Sequence, residues 1–251
     1  MIFQLNKNLA YLKPELKQAI SDFNSFKADF DTGKRNSVKK IELSDKIVII
    51  KSFKIPNLLN QIVYKYIRKS KAKRSFEYAN KLISLGIKTP TPIAYIENFN
   101  LVGLRQSYYM SEFLDYDLTY RELINEPNYP NREKLIRAFT KFTYNLHQNN
   151  ILFLDHSPGN TLIKKNNNDY DFYLVDLNRM QFNKLTFDER MKNFSRLTPQ
   201  KEMVKIMSDE YAKLSNTNAK VVFEKMWFYT QQFREKFERK KRLKKLLLNK
   251  K

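Results

Sequence analysis

Leu154-Asp155-His156-Ser157-Pro158-Gly159-Asn160-Thr161-Leu162-Ile163 is the stretch from which the rest of this 251-residue chain is best read. It sets an Asp and an Asn five positions apart across a Pro-Gly turn. Thr161–Lys165, the Asn-Asn-Asn-Asp turn at 166–169 and Tyr170–Leu177 then read as a hairpin. That hairpin ends in Val175-Asp176-Leu177-Asn178-Arg179, so a second Asp at a strand end can converge with the first pair. Oxygen donors of this kind suit a hard cation; magnesium in particular keeps waters and phosphate oxygens as the rest of its shell. On this reading Asn160 and Asp176 hold the metal. Asp155, further from the ion, orients a hydroxyl or accepts its proton. The plainer alternative is that Asp155 and Asn160 merely close a turn.

Upstream, Asn131 follows Pro130 as a candidate N-cap, and Leu135, Ile136, Phe139, Phe142 and Leu146 line one helix face. Nearer the start, Pro14 can open a helix carrying Leu16, Ala19, Ile20, Phe23 and Phe26 at helical spacing. Residues 38–54 read as two strands about a turn near Ser44-Asp45. Lys51 follows the apolar run Ile47–Ile50 and shares a side of the pleat with Ile49. A helical stripe then runs through Ala72, Phe76, Ala79, Leu82 and Ile83 to Gly86, a fitting terminator. Glu77 on that helix is a candidate partner for Lys51, and such a pair would hold the lysine head against two phosphates of a nucleotide. Taken singly, each is equally well an exposed charge. The Thr-Pro-Thr-Pro at 89–92 marks a loop, 93–97 and 107–113 look like strands, and everything after about 185 reads helical.

Lys51, Glu77, Asp155, Asn160 and Asp176, in that order, resemble the protein-kinase-like fold over roughly residues 30–180. Ser157-Pro-Gly-Asn160 is closer to the catalytic loop of small-molecule kinases than to that of protein kinases. The stretches VIIKSFKIPNLLNQIVYKYIRKSKAKRSFEYANKLISLGIKTPTPIAYIE and YLVDLNRMQF are similar to the bacterial lipopolysaccharide kinase family, which phosphorylates Kdo or heptose of the inner core. The resemblance implies a two-lobed α+β protein. Its N-terminal lobe, residues 1–110, would be a small antiparallel sheet with one key helix, and its C-terminal lobe, 111–251, mainly helical. It implies ATP as co-substrate with Mg2+, and Kdo-lipid A as acceptor, with heptose second. It also implies Gly33 in the loop over the phosphates, and Glu112 and Leu114 at the segment that meets adenine, where the alternative is an ordinary strand end. The sequence departs from the kinase pattern at Phe153, where a His usually opens the catalytic loop, and at Asp176-Leu-Asn in place of Asp-Phe-Gly. His147 reads as structural, and His156 faces either the acceptor or solvent, with solvent favoured. Arg179 would meet a phosphate, Asp155 or a carbonyl, and Asn193 and Arg196 are candidates for meeting the acceptor.

Composition bounds these readings. Forty-seven Lys and Arg against 26 Asp and Glu leave a net charge of +21, which points to an anionic partner without choosing one. Residues 65–74 carry six basic and no acidic side chains, and 234–251 carry a net +8. The tail reads as a basic amphipathic helix with Phe237, Leu243, Leu246, Leu247 and Leu248, suited to an anionic membrane surface or simply solvated. The absence of Cys excludes disulfides and thiolate chemistry and suits a reducing compartment. The start lacks the pattern of a signal peptide and no run suffices to span a bilayer. The expectation is a cytoplasmic protein, peripheral at the inner face of the cytoplasmic membrane. A nucleic-acid-binding protein, motivated by +21 with 15 Tyr and 19 Phe, ranks lower because most Phe fall on core stripes. A catalytically inactive kinase-fold membrane scaffold is the third reading, opposed by the intact Lys, Glu, Asp, Asn and Asp set.

Overall fold

The structure is a computed structural model that describes residues 1–26, 36–167 and 169–248. The chain forms two compact units: Met1–Asp115 together with Asp176–Asn178, and Tyr116–Val175 together with the chain from Arg179 onward.

The first unit holds β1 (Ile2–Leu5), α1 (Lys13–Ser21), β2 (Asn36–Glu42), β3 (Ile47–Phe53), α2 (Leu58–Tyr66), α3 (Lys71–Ser84), β4 (Pro92–Phe99) and β5 (Leu104–Glu112). Its strands make an antiparallel sheet in the order β1-β4-β5-β3-β2. Alternation along β3 divides its side chains between two layers. Val48 and Ile50 are buried with Leu12, Leu16 and Phe23 of the α1 region, whereas Phe53 is buried with Ala72 and Phe76 of α3. Lys51 belongs to the Phe53 side of that alternation. The predicted α3 is sharply bounded. Ser70 Oγ accepts the amide of Lys73 at 3.0 Å, and the helix closes at Gly86 with φ of 72°. There Gly86 N–H donates to Ile83 O and Ile87 N–H to Leu82 O, a paired closure that favours glycine in the left-handed region.

The second unit holds β6 (Leu118–Thr119), α4 (Tyr120–Asn125), α5 (Arg132–Gln148), β7 (Ile151–Phe153), β8 (Thr161–Asn166), β9 (Asp169–Leu174), β10 (Met180–Phe182), α6 (Phe187–Asn193), α7 (Lys201–Ser215) and α8 (Ala219–Leu248). The predicted hairpin is β8–β9, running in register from Thr161↔Leu174 to Asn166↔Asp169, with β6 on its other edge. β7 and β10 form a separate short ladder, Phe153 opposite Met180. Helices α4, α5, α6 and α7 bury Tyr120, Leu135, Ile136, Phe139, Met191 and Tyr211 in one core, against which Trp227 of α8 packs. The expected stripe of α5 is present, but its start differs from the sequence reading. Asn131 precedes the helix in a left-handed conformation, φ 57°, and its side chain makes no capping bond. Together these features are the protein-kinase-like fold: an antiparallel sheet with a helix in the N-terminal part and a mainly helical C-terminal part.

Candidate active site

β7 is buried at all three positions, and the chain leaves it into the loop that carries Asp155. Leu154 N–H donates to Arg179 O at 3.0 Å, and His156 N–H to Phe153 O at 3.1 Å, so the loop turns immediately. A 3-10 turn at Pro158–Asn160 follows. From it the Asn160 side chain donates back to Asp155 O at 2.8 Å, closing the loop across the five-residue spacing. A Cβ at Gly159 would lie 2.7 Å from Nη2 of Arg121, so a larger residue there must displace that guanidinium.

His156 corrects the sequence reading. It is fully buried, not solvent-facing, stacked on Phe139 with ring centroids 5.3 Å apart and 3.2 Å from Thr143 Oγ1 through Nε2. The imidazole fills the aromatic space left between Phe139, Phe153 and Phe194. Burial pushes its pKa down to about 3, with the neighbouring His147 and Arg196 acting in the same direction. His147 is likewise buried, its pKa pushed down to about 4 by desolvation. It belongs to a hydrogen-bond chain that fixes its tautomer. Asn193 Nδ2 donates to Phe153 O at 2.8 Å, so Asn193 Oδ1 faces His147 Nε2 as an acceptor at 3.1 Å. Nδ1 then accepts from Tyr211 O–H at 3.0 Å. The end of β7 is thereby tied through α6 to the core of α5 and α7.

The Asp155 carboxylate is held by two arginines distant from it in sequence. Arg196 Nη1 lies 2.5 Å from Oδ1 and donates to Leu154 O at 3.3 Å, while Arg179 Nη1 lies 3.6 Å from Oδ2. Of the three partners the sequence left open for Arg179, Asp155 is the protein group that the structure sets near it. Arg196 is one the sequence reading placed elsewhere: 41 positions separate it from Asp155, and only the turn Phe194–Arg196 after α6 brings it back.

In the first unit, Lys51 and Asp176 are brought together across 125 positions, with Nζ 2.6 Å from Oδ1 and the lysine side chain only 15% exposed. Asn178 Nδ2 donates to the same oxygen at 2.5 Å. Asp176 sits at φ 59°, a left-handed conformation that costs an ordinary residue about 1 kcal/mol and that Asp tolerates better than most. The expected Lys51–Glu77 pair is not formed. Glu77 pairs with Lys69 at 2.8 Å, a residue just ahead of the α3 cap, and Lys51 is already neutralised by Asp176. Glu112 closes β5, its amide donating to Thr91 O and its carboxylate bonded to Lys46 at 2.7 Å, which raises the lysine pKa. Leu114 is half-buried two residues on, and its backbone makes no hydrogen bond among the described residues. Gly33 lies outside the described residues.

A protein-kinase-like fold, with a lysine–aspartate pair in one unit and a D-x-x-x-x-N loop in the other, defines the class of ATP-dependent phosphotransferases. The profile described as Lipopolysaccharide kinase (Kdo/WaaP) family matches residues 57–218. The chain belongs to that family, whose members transfer phosphate from ATP to a sugar hydroxyl and use a divalent metal. The matched span includes Glu77, Glu112, Leu114, Asp155, Asn160 and Asp176; Lys51 and Gly33 precede it. Among solved structures, WaaP in complex with acyl carrier protein shares the fold at a TM-score of 0.63 and 14% identity, covering 95% of this chain and 99% of that one. No curated protein sequence matches significantly.

Proposed function

We propose that this chain transfers the γ-phosphoryl group of ATP to a hydroxyl of Kdo in an inner-core precursor carried on lipid A, with heptose the second choice. The observation that carries the reading is the Lys51–Asp176 ion pair at 2.6 Å, which sets a cation and a carboxylate side by side on the nucleotide-binding unit. Phosphoryl transfer asks little covalent chemistry of a protein and much positioning and charge neutralisation. Lys51 grips the nucleotide phosphates. Leu114 offers its unpartnered backbone groups to the adenine edge, beside Glu112.

Magnesium fits the donor set. Among the described residues no group of three or more His, Asp or Glu forms a cage. Two hard oxygens are instead on offer: Asp176 Oδ2, its Oδ1 being taken by Lys51 and Asn178, and Asn160 Oδ1, its Nδ2 being taken by Asp155 O. So few protein ligands are what magnesium uses when phosphates and waters complete its shell, and when bound it supplies neutralisation of phosphate charge. Asp155 accepts the acceptor hydroxyl's hydrogen bond, its carboxylate held in one orientation by Arg196 and Arg179.

The end of α8 supports a site at a membrane surface. Phe237, Leu243, Leu246 and Leu247 are exposed among Lys and Arg, and no helix among the described residues is long and apolar enough to cross a bilayer. We place the protein in the cytoplasm, peripheral at the inner face of the cytoplasmic membrane, where a lipid A-linked acceptor is presented. The test is phosphate transfer from labelled ATP with magnesium to Kdo-lipid A and, separately, to a heptose-terminated acceptor. Transfer to Kdo-lipid A at the higher kcat/KM is expected; faster transfer to heptose overturns the choice of acceptor.

A further inference from the structure

We infer that a hollow beside Arg196 receives the acidic group of the acceptor. The inference rests on the phosphotransfer reading above and names the part of the acceptor that the second unit would grip. A cavity of about 310 Å³ opens between the Phe194–Arg196 turn and α8, lined by Ser195, Arg196, Phe233, Arg234, Phe237 and Glu238 among others. That volume is at the small end of ligand sites and suits a single sugar ring.

Arg196 is the wall shared by this cavity and Asp155. Its Nη1 is committed to Asp155 Oδ1 and Leu154 O, and its guanidinium lies 5.7 Å from the centre of the Phe233 ring. Among the described residues Nη2 has no partner, and Nε is buried without one. Arg234, exposed on α8, makes no hydrogen bond or ion pair among the described residues. The cavity is lined by two guanidinium-bearing side chains, Arg196 and Arg234, and one carboxylate, Glu238. With Arg196 Nη1 paired to Asp155, the planar donors left for a ligand are Arg196 Nη2 and the exposed Arg234 guanidinium. Such donors match carboxylate and phosphate oxygens in paired fashion. Phe233 and Phe237 supply apolar walls against which the C–H face of a pyranose can lie. A sugar whose anionic group meets Arg234 and Arg196 Nη2 presents its remaining hydroxyls on the side where the Arg196 guanidinium holds Asp155. A neutral sugar cannot make this contact, so the hollow sets acceptor specificity. The anion is either the carboxylate of a sugar acid or a phosphate already borne by the saccharide; both offer the same chemistry.

The test uses the full chain with Arg234→Gln, a residue outside the catalytic loop. Relative to wild type, the KM for Kdo-lipid A is expected to rise about tenfold or more, as for loss of a hydrogen bond to a charged group. The KM for ATP and the thermal midpoint should not move. Two modified acceptors identify the source: one with the Kdo carboxyl as its methyl ester, one stripped of lipid A phosphates. Wild type should lose about tenfold in kcat/KM on whichever lacks the bound anion, and Arg234→Gln should lose little further on that one. An acceptor KM within twofold of wild type, or equal losses for both proteins on both analogues, overturns the subsite. Absence of any transfer by wild type overturns the phosphotransfer reading instead. The subsite is then decided by titrating 15N-labelled protein with free Kdo while following arginine Nε–H signals. Movement of the Arg196 and Arg234 signals supports it, and unmoved signals sink it.

Discussion

Two buried neutral histidines give the second unit an acid sensitivity that can be worked out from their surroundings. His156 is stacked on Phe139 and His147 is locked between Tyr211 and Asn193, and burial holds their pKa values near 3 and 4. In the unfolded chain each imidazole takes up a proton near pH 6.5. Folding must then expel it, so stability is complete above about pH 6.5 and falls as the pH drops from there towards the folded values. At pH 5.0 each histidine withdraws about 2 kcal/mol relative to pH 7.5, about 4 kcal/mol for the pair, against a total typically of 5–15 kcal/mol. The window lies above the usual carboxylate range, so Asp and Glu titration contributes little. Trp227 is the sole tryptophan and packs on the core of the same unit, so its fluorescence reports the relevant transition. With a urea slope of about 3 kcal/mol per M, the midpoint should fall by roughly 1 M or more between pH 7.5 and 5.0. His156→Gln should remove about half of that pH-dependent difference, whatever it does to stability at neutral pH. A variant whose midpoint shifts with pH as much as the wild type does would refute the assignment of a buried neutral imidazole.

Four further outcomes follow from the same contacts. Asn193→Ala leaves Phe153 O and His147 Nε2 without partners, and chemical denaturation should show a loss of about 2–3 kcal/mol, with a loss under 0.5 kcal/mol counting against the hydrogen-bond chain. Phe139→Ala opens a hole between Tyr120, His156 and Phe172 and should cost about 3–5 kcal/mol in the same assay. Gly86→Ala forces a side chain into φ 72° and should lower stability by about 1 kcal/mol despite free space around the position. Deleting residues 243–251 should reduce binding to vesicles containing anionic phospholipid by well over tenfold while leaving binding to neutral vesicles as it was, read by flotation.

Much of the architecture was legible because it is local. The β8–β9 hairpin follows from alternation around an Asn-rich turn, and α3 from an apolar stripe that Gly86 terminates. What escaped the sequence is set by distant partners. β1 has only four residues and exists by pairing Ile2–Leu5 with Glu97–Ala94, and the three-residue β7 and β10 need each other. His156, next to Asp155 in a polar loop, gives no local sign that three phenylalanines from separate elements enclose it. The Lys51–Asp176 contact was not read from the sequence, which paired Lys51 with Glu77; Glu77 found its counter-charge eight positions away instead of on β3. Arg196 carried a weak signal, a lone arginine after a short helix; its hold on Asp155 emerges only once Asn193 and Phe194 fix the turn against the core.

The most direct test of the account is phosphate transfer to Kdo-lipid A by Asp155→Asn, which keeps the size of the side chain and removes its capacity to take a proton. kcat should fall by about 10²–10⁴ while ATP binding and the thermal midpoint stay within error of wild type. A variant that turns over within a few-fold of wild type would contradict it.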